Sequence, residues 1–67
     1  MKTYKITFGK DNVPAMVFFM DGKTLTSAIK KTVKEIERMK AVFARNNVDN
    51  SHLQNLTVIE GHISDEN

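Results

Sequence analysis

Tyr4, Ile6 and Phe8 alternate with Thr3, Lys5 and Thr7 at the start of the chain. Apolar residues at every second position put one side of an extended chain in a core and the other in water, which predicts a half-buried strand. Gly9-Lys10-Asp11-Asn12 follows and carries turn chemistry, because Gly and Asn tolerate positive φ and Asp can cap its own turn. The next run, Val13 to Met20, is rich in strand formers and apolar on both sides. Ala15, Val17 and Phe19 take one face, and Met16, Phe18 and Met20 the other. Pro14 has no N–H for a ladder, so it belongs at a strand start or on a sheet edge. The two runs predict a β-hairpin.

After Asp21-Gly22 the spacing changes. Leu25, Ala28, Ile29, Thr32, Val33, Ile36, Met39, Lys40 and Phe43 recur at steps of three and four, which places them on one stripe of a helix. Thr24 is a suitable N-cap, since its hydroxyl can accept from an amide of the first turn. Asn46-Asn47 supplies a C-cap, and Arg45 suits the negative end of the helix dipole. The predicted helix is about 20–22 residues, or roughly 30 Å. A polar linker from Val48 to Asn55 leads to a third strand at Leu56–Ile59, extending to Ile63 through Gly61. Residues 64–67 are expected to form a frayed tail.

The order β-β-α-β predicts one α+β domain over residues 1–67. With the third strand beside the first, the sheet order is 2-1-3 and every neighbouring pair is antiparallel, with the long helix packed on one face.

Composition narrows the function classes. A chain of 67 residues supports one small core. Cys is absent, which excludes disulfides and thiolate chemistry. The N-terminal segment is interrupted by polar residues and lacks the apolar stretch of a secretory leader. The longest apolar run, Ala15 to Met20, is far short of the ~20 residues that span a membrane. Cytoplasmic location without membrane contact is the expectation. The formal charge of +2 is mild, but the helix is basic and the tail at Asp65-Glu66 acidic.

Two surfaces emerge as candidates. One helix covers one face of a three-stranded sheet, yet the second strand is apolar on both. Whichever face stays open presents a row such as Met16, Phe18 and Met20, the apolar anchor expected for a protein interface, with Met supplying adaptable contacts. In the 2-1-3 order this strand is also an edge, to which a partner strand or a second copy can add. The second surface is the basic helix face, where Lys30, Lys34 and Arg38 at i, i+4 and i+8 line up. They would orient an acidic protein partner or, in an alternative reading, track nucleic-acid phosphates. Glu35 and Glu37 interrupt that stripe and no aromatic residue offers a stacking platform.

Catalytic signals are missing. Gly9, Gly22 and Gly61 form no phosphate-cradling loop, and Thr24 is explained by capping. His52 and His62, with Asp49, Glu60 and Asp65 nearby, lack compact ligand spacing, so neither metal nor cofactor is expected. The expected function is therefore that of a non-enzymatic protein-binding module, the alternatives being a nucleic-acid-binding protein and a structural homodimer subunit.

In its size, its lack of catalytic motifs and its one exposed apolar strand, the chain resembles the small ββαβ and βαββ proteins of phages and other mobile elements. That resemblance implies an inhibitor that binds a host defence protein or polymerase. Many such inhibitors are acidic mimics of DNA, whereas this chain is mildly basic.

Overall fold

The computed structural model describes residues 1–64. Strand β1 runs from Lys2 to Lys10, β2 from Val13 to Gly22, helix α1 from Leu25 to Arg45, a 3₁₀ turn from Ser51 to Leu53, and β3 from Thr57 to Ile63. The sheet order is β2-β1-β3 with both pairs antiparallel, and α1 packs against it in an α+β fold. Of the expected tail, residues 65–67 lie outside the described part, while the Ser64 N–H donates to Thr3 O at 2.9 Å and prolongs the β1–β3 ladder.

The hairpin closes through Asp11 and Asn12, with φ of 51° and 62°. Two consecutive left-handed residues make a turn whose twist matches that of the flanking strands, and Asp and Asn tolerate it best after Gly. From Lys10↔Val13 and Gly9↔Pro14 the register then slips, so that Phe8 faces Met16 and Ala15 is an extra, bulged residue. A second slip lies on β3, where Phe8 faces Val58 and Thr7 faces Glu60, leaving Ile59 extra. Gly9 sits between the two slips. A Cβ there would overlap the carbonyl oxygen of Val13 and Cδ1 of Ile59, so the chain passes only because the side chain is a hydrogen.

Helix α1 begins as its sequence predicts. Thr24 Oγ1 accepts from the Ser27 N–H at 3.2 Å, and Ser27 Oγ accepts from the Thr24 N–H at 3.3 Å, a reciprocal capping box. At the other end Asn46 Nδ2 donates to Val42 O at 2.9 Å and Asn47 turns left-handed. Ala28, Thr32 and Ile36 form the buried line of the stripe. Thr32 is wholly buried in mid-helix, and its hydroxyl donates to Ala28 O at 2.8 Å, so no polar atom is stranded.

The core is Tyr4, Ile6 and Phe8 of β1 against Ala28 and Ile36, with Phe18, Met20, Leu25, Ile29 and Leu56 around it. Each fully buried aliphatic side chain is worth about 1.5–3 kcal/mol. Asp49 Oδ1 accepts from the Ser51 N–H at 3.0 Å and so shapes the 3₁₀ turn that sends Leu53 fully inside.

Candidate protein-binding surface

Directly opposed residues on neighbouring strands share a face of the sheet. Met20, Phe18 and Met16 oppose Tyr4, Ile6 and Phe8, so they face the helix. This corrects the sequence expectation for the open-face anchor. Met16, Phe18 and Met20 are half-buried members of the helix side, and Phe18 and Met20 pack on the core. Because β2 is an edge strand, helix coverage ends over them and part of each remains in water.

The open face carries the other parity. Val17 opposes Thr7 and Phe19 opposes Lys5. Val17 and Phe19 are exposed by 48% and 57%, so about half of each of these apolar side chains stands in water. Val13 is exposed too, but it opposes Lys10, and beyond the bulge at Ala15 it belongs to the helix side. Across β1, Thr7 and Lys5 oppose Glu60 and His62 of β3. The open face therefore grades from apolar on β2, through Thr7 and half-buried Lys5, to a polar margin. There His62 Nδ1 stands 3.5 Å from Glu60 Oε2. At the end of the row Thr3 Oγ1 donates to Asp21 Oδ1 at 2.6 Å. An apolar centre with a polar rim is the ordinary plan of a protein interface.

The basic stripe lies elsewhere. Lys30, Lys34 and Arg38 are exposed on α1, on the far side of the helix layer from the open sheet face. A partner seated on Val17 and Phe19 does not meet them, so the expected composite site separates into two. Arg38 is moreover committed to Glu35 through its Nε and Nη2 groups. That hydrogen bond holds the Glu35 carboxyl below the usual carboxylate range and raises the Arg38 guanidinium. Lys40 pairs with Glu37 at 3.2 Å and Lys31 Nζ donates to Asp21 O at 3.0 Å. Among the described residues, Lys30 and Lys34 form no salt bridge.

A cleft of about 260 Å³ opens between α1 and the approach to β3, floored by Phe8, Ile36, Leu53 and Leu56. Its two ionisable groups, Glu37 and Lys40, are bound to each other. His52 packs against Phe43 at the end of the helix, with ring centroids 5.9 Å apart and planes tilted by 43°, which accounts for its position. Among the described residues no group of three His, Cys, Asp or Glu side chains is arranged to hold a metal, and Asp65 lies outside them. No helix of the described residues is long and apolar enough to cross a membrane.

The open-face residues were missed as anchors because the bulge at Ala15 hides the parity. Counting out from the turn at Lys10↔Val13 without a slip would set Phe8 against Ala15 and Ile6 against Val17. Gly9 and Pro14, which weaken a ladder, face each other beside the slip, but that pairing exists only once the strands have met. Comparison with protein families, curated proteins and solved structures gives no match.

Proposed function

We propose that this chain is a small, non-enzymatic protein-binding module acting in the cytoplasm, and that its docking surface is the open face of the sheet, with Phe19 as anchor and Val17 beside it. The observation that supports this reading is the exposure of those two side chains along one strand, in a chain whose opposite face already has its helix. Burying such residues on a partner is favourable, and aromatic anchors ringed by polar groups carry a large share of binding energy in interfaces. Blocking a host protein, as the small proteins of mobile elements do, is the activity this surface suits: it needs one rigid contact and no chemistry.

The test is affinity capture with the tagged chain and with Phe19→Ser, the fold of each being checked by circular dichroism. A partner that is held by the parent chain and lost by Phe19→Ser is expected. A partner held equally by both overturns the reading.

The exposed pair Lys30 and Lys34, one turn apart, favours nucleic acid as a second reading. Its binding would fall steeply with salt and vanish in Lys30→Gln/Lys34→Gln. Arg38 adds little there, because Glu35 already occupies it.

A further inference from the structure

The two edges of the sheet are built differently. Exposed sheet edges are ordinarily blunted by charges, Pro, bulges or shortness, because their free N–H and C=O groups template another strand. Strand β3 has several of these devices: the bulge at Ile59, then Glu60, Gly61 and His62. Strand β2 has them only at its ends, Pro14 and the bulge at Ala15 on one side and Asp21 on the other. Between them Met16–Met20 is a regular, uncharged, unblunted edge.

We propose that this edge pairs with the same edge of a second copy, antiparallel about a two-fold axis at Phe18, to make a six-stranded sheet with both helices on one face. Three observations select that occupant and that register. First, a second copy brings a sheet and a helix together. It covers the half-exposed Met16, Phe18 and Met20 on the helix side as well as the edge itself, which a lone peptide strand would not do. Second, pairing about Phe18 uses all of the unblunted stretch. Phe18 meets Phe18 of the second copy, Val17 meets Phe19, and Met16 meets Met20. Moving the axis to Val17 would set Met20 against Pro14, which has no N–H to give. Moving it to Phe19 would set Val17 against Asp21. Third, the charges agree. Counting outward and allowing for the extra residue at Ala15, Lys23 of each copy falls opposite Asn12 of the other and beside Asp11, twice over by symmetry. The pairing also joins the two open faces, so that the Val17 and Phe19 rows become one continuous apolar strip. The dimer does not depend on the partner proposed above, since it is formed by the strand edge and not by the face.

Cysteine crosslinking tests both the contact and its register, because the chain has no Cys of its own. Val17→Cys and Phe19→Cys are made singly, both at exposed positions that leave the core intact. Opposed residues in an antiparallel pair have Cα atoms about 4.5–5.5 Å apart, inside the disulfide range. Val17 to Val17 is a diagonal pair about 7–8 Å apart and falls outside it. Mild oxidation of the two variants mixed should give the mixed dimer roughly tenfold faster than either alone. Light scattering should show the unmodified chain passing from monomer to dimer between micromolar and millimolar concentration. A monomer throughout that range overturns the proposal. So does a dimer in which the mixed pair has no advantage, or in which Val17→Cys crosslinks as readily with itself.

Discussion

The ring of Phe18 meets the ring of Phe8 edge-on, with centroids 5.8 Å apart and planes at 81°. This contact locks β2 with Phe18 toward the helix and therefore Phe19 toward water. Edge-to-face pairs add about 0.5–1.5 kcal/mol beyond the area they bury. Two adjacent phenylalanines thus have separate duties, one holding the fold and one offering a surface.

Phe18→Ala is expected to cost about 2–4 kcal/mol of unfolding free energy, somewhat below the usual Phe→Ala range because the side chain is only half-buried. Phe19→Ala should cost less than about 1 kcal/mol. Urea unfolding of both variants over a range of protein concentrations checks this and separates loss of fold from loss of self-association. Equal costs in dilute solution would mean that the parity of β2 is wrong.

Gly9→Ala should destabilise by about 1–3 kcal/mol, the usual cost of overpacking, because the new methyl group meets backbone at Val13 that has no room to yield. Gly61→Ala should be milder. A Cβ there stands 2.9 Å from Cδ1 of Leu25, the mobile end of a side chain that can rotate away. Thermal unfolding of the two variants gives the ranking, and a Gly61→Ala penalty above that of Gly9→Ala would contradict the packing described.

Thr24→Ala removes the acceptor for the Ser27 N–H and should cost about 1 kcal/mol, while Thr24→Ser should be near neutral. Denaturant midpoints distinguish them. If Thr24→Ala unfolds with the midpoint of the parent chain, the cap is not formed in solution.

The Ser51 backbone N–H bonded to Asp49 lowers that carboxyl below its usual position. A depressed carboxylate contributes stability above the unfolded-state value of about 3.9 and loses it as pH falls through the lower folded value. Between neutral pH and that window the 3₁₀ turn should hold Leu53 inside; at more acid pH it should loosen. Amide exchange at Ser51–Leu53 followed from neutral to acid pH should show protection falling in that range, and Asp49→Asn should flatten the dependence. An unchanged profile in the variant would remove Asp49 from the account.

Much of the architecture was legible in the residues. The alternation at Tyr4, Ile6 and Phe8, the stripe through Ala28, Thr32 and Ile36, and the cap at Thr24 are local patterns. They led to the right elements because propensity, periodicity and capping agree there. The 2-1-3 order followed from connection rules that depend only on chain order. The sequence also showed that β2 carries more apolar surface than one helix can cover.

Which side of β2 that surplus occupies was decided by the tertiary structure alone. Side chains alternate with a period of two, so a single extra residue moves a whole row to the other face. The bulge at Ala15 does this on β2. On β3 the bulge at Ile59 brings Val58 and Ile63 opposite Phe8 and Tyr4 on the helix side, although their spacing sets them apart. Neither slip is written in the local pattern, because each arises where strands meet around Gly9, whose missing side chain lets Val13 and Ile59 close over it. The residues themselves fixed the elements and their order; contact between strands distant in sequence chose Phe18 for the core and left Phe19 in the open.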